Sequence, residues 1–338
     1  MRKKLLTLML AAVMAIGGMS LTASAATATT AQTVTASIEK LYTLTNDGTT
    51  SPADTFLFTV TNYSVSNAAD GVTVSNMPTP SITAITVAEG DATTAGKSYD
   101  LQINLPSYTS VGVYTYEIEE TNNNLAGVTY STTKYYLVVT VTYNDSTDAL
   151  EVSSYYLHAG SVSGLKTTNI KNYYSAGSLA VTKEVTGNLG DTEKEFTVTV
   201  TFTKATGTTV ASTISYVVGT ETKTIAPSAW GGNESVSVEI TVKDGTTITF
   251  TNIPYNVSYT IAENTYSDYD TTYVSTDSTD TGTGTMSEPS ETVTITNNKE
   301  GTVDTGVILD SLPYILILAV VLIGVVYLVL RRRTSDRY

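Results

Sequence analysis

The residues able to do chemistry occur twice, in the same order. Ile38-Glu39-Lys40, Tyr116-Glu117-Ile118-Glu119-Glu120 and Ile170-Lys171-Asn172 form the first set. Val181-Thr182-Lys183, Tyr259-Thr260-Ile261-Ala262-Glu263 and Ile295-Thr296-Asn297 form the second. Lys and Glu stand 80 residues apart in both sets, whereas Glu and Asn stand 52 apart in the first and 34 in the second. Residues two apart share a face of a strand. Lys40 therefore faces with Ile38, Glu120 with Ile118 and Asn172 with Ile170, all toward an apolar interior. Lys183, Glu263 and Asn297 keep the same relation to Val181, Ile261 and Ile295. Glu117, Glu119 and Asn169 crowd the first set; parity favours Glu120, with Glu117 sharing the face of Glu119.

Polar groups in a dry core are costly unless they satisfy one another. Burial lowers a lysine pKa and raises a glutamate pKa. A neutral amine is a nucleophile, and a protonated Glu able to hydrogen-bond the Asn carboxamide oxygen would polarise its carbon and relay a proton to departing ammonia. The product is a Lys–Asn amide crosslink, made feasible by the proximity that folding enforces.

The elements holding these groups read as strands. Short runs alternate polar and apolar residues, as in Thr55 to Val60, Tyr135 to Tyr143, Glu195 to Phe202 and Ser235 to Ile240, with Gly, Asn, Asp and Pro between them. The expected fold class is all-β, with tandem β-sandwich domains over residues 31–172 and 173–300. The junction Asn172 to Gly177 is short, which predicts stiff end-to-end stacking.

Both ends carry targeting signals. Arg2, Lys3 and Lys4 precede an apolar stretch from Leu5 to Met19, and Ala23-Ser24-Ala25 closes it, which reads as a signal peptide over residues 1–25. Tyr314 to Leu330 is an uncharged stretch of 17 residues followed by Arg331, Arg332 and Arg333. That is long enough for a transmembrane helix, with the basic tail inside.

Composition excludes several functions. Residues 26–305 hold 11 of the 18 Lys and Arg but 30 of the 32 Asp and Glu, so their net charge is near −19. Nucleic acid, which needs clustered cations, is not an expected partner. There is no cysteine, and the single histidine, His158, reads as a surface loop residue. The usual zinc sites and a Cys-His pair are thereby excluded, and neither a metal nor a cofactor is expected. The acidic stretch Ser267 to Asp280 reads as a solvated loop.

Thr302-Val303-Asp304-Thr305-Gly306, ahead of the apolar span and basic tail, resembles the sortase cell-wall sorting signal. It keeps the Thr-Gly of the familiar Leu-Pro-x-Thr-Gly and departs from it at the two leading positions. Residues 301–338 would then be the sorting region, cut between Thr305 and Gly306, with Thr305 transferred to an amine.

The doubled triads, the opening Leu179-Ala180-Val181-Thr182-Lys183-Glu184-Val185-Thr186-Gly187, the segment Gly112-Val113-Tyr114-Thr115-Tyr116 through Glu120, and the sorting tail together resemble the Gram-positive major (backbone) pilins of the streptococcal T-antigen type. The resemblance implies immunoglobulin-like domains and the bonds Lys40–Asn172 with catalytic Glu120 and Lys183–Asn297 with catalytic Glu263. It also implies a covalent pilus shaft outside the cell, in which sortases join identical subunits and peptidoglycan anchors the filament, with minor pilins or host ligands as further partners. The chain is then a sortase substrate and no enzyme, apart from its single-turnover self-crosslinking. Polymerisation needs an exposed acceptor lysine. Lys166, in the small-residue segment Ser161 to Thr167 expected to be mobile, is the candidate among Lys97, Lys134, Lys166, Lys171, Lys194, Lys204, Lys223, Lys243 and Lys299. The rival reading is a surface adhesin or stalk anchored singly to the wall. A tail of Arg331 to Tyr338 leaves no room for a signalling domain, and nothing in the chain supports an exported enzyme.

Overall fold

Val, Thr, Tyr and Ile fit a pleated, half-buried backbone, and they set the strands of the computed structural model, which describes residues 32–276, 281–301 and 312–335. The expected signal peptide, Thr305 and Gly306 lie outside the described residues.

The first unit is a sandwich of two sheets. One runs in the order Ser81–Ile82, Lys97–Leu105, Gln32–Leu44, Asn169–Tyr174, Val128–Thr129. The other runs Ala149–Ala159, Tyr135–Asn144, Gly112–Glu120, Phe58–Ser66. A small ladder of Asp54–Phe56 with Ile85–Val87 closes one side. Ile38, Tyr42, Leu101 and Ile170 of the first sheet pack with Tyr114, Tyr116, Ile118 and Val139 of the second in one core.

The second unit repeats the plan. Glu221–Ile225, Ile214–Val218, Thr247–Pro254, Ala176–Thr186, Ser290–Asn298 and Asp270–Ser275 form one sheet. Ser235–Val242, Phe196–Thr203, Ser258–Glu263 and Thr283–Thr285 form the other. Val181, Phe250 and Ile295 meet Val198, Phe202 and Ile261 in its core. In each unit the opening strand lies parallel to the closing one, Gln32–Leu44 beside Asn169–Tyr174 and Ala176–Thr186 beside Ser290–Asn298.

Local readings shift at three places. The run Thr55 to Val60 is divided at Leu57, because Asp54–Phe56 pairs with Ile85–Val87 while Phe58–Ser66 pairs with Gly112–Glu120. His158 stands in the strand Ala149–Ala159 rather than in a loop, with Nδ1 2.8 Å from the Gly164 carbonyl. The acidic stretch taken for a loop contains the strand Asp270–Ser275, paired along Ser290–Asn298. Asp270 at its start is exposed, whereas Ser275 at its end is buried.

The junction is shorter than its sequence suggested. Only Ser175 separates the strands Asn169–Tyr174 and Ala176–Thr186. Hydrogen bonds tie the units across it. Asn46 donates to the Ala176 carbonyl at 2.7 Å, and Asn252, at φ 62°, donates to the carbonyls of Thr50 and Thr213 and accepts from the Thr50 N–H. Gly127 sits in the seam at φ +77°, where a Cβ would lie 2.6 Å from the Ser175 carbonyl oxygen and 3.0 Å from Pro254 Cβ. Left-handed backbone and overpacking against main chain both oppose a side chain there. Gly127→Ala is expected to destabilise the chain by about 2–3 kcal/mol. Chemical denaturation reads the effect, and an unshifted midpoint would contradict it.

The helix Leu312–Ser335 ends the described chain. Its segment Pro313–Arg332, with mean hydropathy 2.8, is unburied among the described residues and is long and apolar enough to cross a membrane.

Candidate functional site

The parallel pairing brings the triads together. In the first unit Lys40 lies opposite Ile170 and Tyr42 opposite Asn172. Lys40 and Asn172 are therefore diagonal neighbours on one inward face. In the second unit Lys183 lies opposite Ile295 and Val185 opposite Asn297, the same two-residue offset. The glutamates arrive from the facing sheets, Glu120 at the end of Gly112–Glu120 and Glu263 at the end of Ser258–Glu263. Lys40, Asn172, Lys183 and Asn297 are fully buried. The side chains of Glu120 and Glu263 are closed off as well.

The first site is a tight network. Lys40 Nζ donates to Glu120 Oε1 at 2.7 Å and to Asn172 Oδ1 at 2.6 Å. Asn172 Nδ2 donates to the same Glu120 Oε1 at 2.7 Å. The backbone N–H of Ser131 points at Glu120 Oε2 at 3.0 Å and at Asn172 Oδ1 at 3.2 Å. Glu120 thus bridges the attacking and departing nitrogens instead of reaching the carboxamide oxygen, the position foreseen for it. With N–H donors on that side, the oxygen has to face them. Phe56 and Phe58 flank the ammonium, with centroids 4.8 and 5.7 Å from Nζ. Burial among them brings the Lys40 pKa down to about 8, against the raising influence of Glu120. A groove of about 330 Å³ lined by Thr59, Glu120, Tyr130 and Ser131 opens beside the network.

The crowding residues are accounted for. Glu117 and Glu119 face the other way and pair with Lys134 at 2.8 and 3.1 Å. Asn169 lies on the face opposite Asn172, as one-residue parity requires.

The second site has the same parts in a looser arrangement. Lys183 Nζ stands 3.1 Å from Glu263 Oε1 and donates to the Ile295 carbonyl at 3.4 Å. Phe196 lies 4.5 Å from it, and burial lowers its pKa. Among the described residues, neither polar atom of the Asn297 carboxamide has a hydrogen-bond partner, although both are buried. An amide left so is costly, which makes this carboxamide the less settled of the two. Thr271, opposite Asn297 in the ladder, reaches Glu263 Oε2 at 3.5 Å.

Ser131 and the phenylalanines escaped the sequence reading. Phe56 and Phe196 were visible as inward positions of alternating runs. Nothing in the sequence marks a backbone N–H as part of a site.

Residues 36–174 match the family model of the Spy0128-like isopeptide-containing domain. A curated pilin of Streptococcus pyogenes serotype M1 is 29% identical over 93% of this chain and 97% of its own length. Over residues 36–174 the chain thus carries an isopeptide-containing domain, and along nearly all of its length it is similar to that pilin. Residues 177–299 match a separate family described as a domain of unknown function, DUF7601. The crystal structure of the major pilin from S. pyogenes aligns with a TM-score of 0.53 at 23% identity, over 78% of this chain and 98% of that one. The major pilin protein T3.2 from S. pyogenes serotype GAS13637 aligns at 0.51 and 19%, over 78% and 97%. These two likenesses speak to the fold, and they bear out the β-sandwiches expected from the alternating runs and the immunoglobulin-like form that the resemblance implied.

Proposed function

We propose that this chain is a pilin, the repeating subunit of a covalent surface filament, and that each of its domains, near 31–172 and 173–300, closes an internal Lys–Asn amide. The observation that carries the proposal is the buried Lys40–Glu120–Asn172 network, inside a domain of an isopeptide-containing family. The neutral Lys40 amine attacks Asn172 Cγ. Glu120 takes a proton from Nζ on Oε1 and passes it to Nδ2, which is hydrogen-bonded to the same oxygen. The Cγ–Nδ2 bond breaks, ammonia leaves, and the Nζ–Cγ amide remains. Lys183, Glu263 and Asn297 follow the same course in the second domain. Folding supplies the proximity that an enzyme would obtain by binding its substrate.

The helix at the C-terminus and the Thr305-Gly306 motif before it fit a precursor held in the membrane until a sortase cuts after Thr305. The carboxyl group of Thr305 then passes to a lysine of the next subunit and, at the base, to peptidoglycan. The filament would carry load through a chain that is covalent both within and between subunits.

The test is made in the native host. Wall extracts should show a ladder of covalent multimers, and terminal peptides should end at Thr305. Monomer alone with Thr305 at its end would favour the singly anchored stalk. Chains retaining Tyr314 to Tyr338 at steady state would refute sortase processing altogether.

A further inference from the structure

We propose that the backbone N–H of Ser131 is the oxyanion donor for closure of the first amide, a catalytic group that the triad alone does not supply. The inference rests on the isopeptide reading above and adds to it. Attack on Asn172 Cγ moves charge onto Oδ1, and that atom already faces the Ser131 N–H at 3.2 Å. Lys40 Nζ also lies against Oδ1, at 2.6 Å, but it must leave that contact to reach Cγ. Ser131 is therefore the donor that stays in place while the charge develops, the condition under which a fixed dipole is most effective.

The topology explains why an unpaired N–H is available. The strand Val128–Thr129 pairs with Asn169–Tyr174 only through Thr129–Tyr173 and Val128–Tyr174, and the chain then leaves the ladder. Ser131 emerges beside Asn172 with its N–H unspent on a strand partner. Its hydroxyl lies 2.9 Å from that of Tyr135, which anchors the turn. The same N–H also reaches Glu120 Oε2 at 3.0 Å, so one donor positions the acid–base group and the reacting carbonyl together. The second domain is built differently. Asp270–Ser275 stays paired along Ser290–Asn298 through the position opposite Asn297, and no donor meets the Asn297 oxygen among the described residues.

The balance of the step is unchanged by the donor. The electron pair of Nζ forms the Nζ–Cγ bond, and the carbonyl pair moves to Oδ1 under Ser131. It returns as Nδ2 departs with the proton carried by Glu120. No oxidant, reductant or further reactant is needed.

The experiment uses the full chain, synthesised cell-free into lipid nanodiscs, quenched in acid at intervals and digested. Mass spectrometry follows the crosslinked peptide pair Lys40–Asn172, with the pair Lys183–Asn297 in the same molecules as a folding control. Ser131→Pro, which removes the N–H, is expected to slow the first bond by at least tenfold, in the direction of an oxyanion-donor loss. Ser131→Ala, which keeps the N–H and loses only the hydroxyl contact to Tyr135, should slow the bond far less. An unslowed Ser131→Pro, or an equal slowing by Ser131→Ala, overturns the proposal. Should the proline variant also lose the Lys183–Asn297 bond, an ester in place of the amide at 131 removes the same hydrogen without the ring. A wild-type rate in that ester overturns the proposal, and a slowed first bond with a normal second one supports it. Wild-type chains that form neither bond would refute the isopeptide reading itself, a separate result.

Discussion

Glu120→Ala is expected to leave the mature chain one ammonia short of its own sequence mass where wild type is two short, Glu263→Ala likewise, and the double variant none short. Intact mass after removal of the C-terminal region reads this directly. Each lost bond opens a long loop, 132 residues between Lys40 and Asn172 and 114 between Lys183 and Asn297. On the loop-entropy description each closure is worth about 5 kcal/mol. The substitution does further damage at the first site. Lys40 Nζ and Asn172 Nδ2 both donate to Glu120 Oε1, and both lose their acceptor in an interior with no water to replace it. Thermal unfolding should therefore fall well below wild type in either single variant and furthest in the double. Glu117→Ala is the control. Its carboxylate pairs at the surface with Lys134, so the chain should remain two ammonias short of its own sequence mass, as wild type is. A Glu120→Ala chain still two ammonias short of its sequence mass would show that the bond closes without its carboxylate.

Lys166→Ala should abolish the high-molecular-weight ladder in the native host while monomer still reaches the wall. Of the nine lysines outside the triads, most are already engaged. Lys97 is bound to Asp91, Lys134 to Glu117 and Glu119, and Lys299 to Asp268. Lys194 and Lys243 lie 3.6 and 3.5 Å from Asp268 and Glu193, and Lys204 donates to the Thr208 carbonyl. Lys171 projects from a strand paired on both sides. Lys166 is exposed, with its ammonium over the Tyr156 ring at the edge of a groove of about 270 Å³ formed with Ile38, Tyr155 and Leu157. Its segment is not the mobile stretch expected from its small residues. Leu165 and Thr167 bond the backbone of Ala159 and Leu157, and Lys166 bridges to His158. A lysine fixed in place presents its amine to a sortase at lower entropic cost than one on a loose loop. Lys223, on the exposed edge strand Glu221–Ile225, is the alternative acceptor. An intact ladder from the Lys166 variant would remove Lys166, and crosslinked peptides would then show which lysine serves.

The sequence by itself determined the parts list. Alternation placed the strands at Tyr135–Asn144, Phe196–Thr203 and Ser235–Val242 within a residue or two, because a sheet with one dry face demands it. Parity assigned Lys40, Glu120, Asn172 and their second-domain counterparts to the interior and put Glu119 outside. The apolar span before the terminal arginines announced the helix. Tertiary structure decided how those parts meet. Parallel pairing of the first and last strands sets Lys and Asn side by side across 132 residues, and no local pattern encodes which strands become neighbours. The same pairing leaves Asn172 gripped by three partners and Asn297 by none among the described residues, although the two sequences look alike. The difference arises where Val128–Thr129 ends after two residues while Asp270–Ser275 runs on. Strand length there follows from the packing of each sandwich, so the freed N–H of Ser131 exists only once the fold is complete.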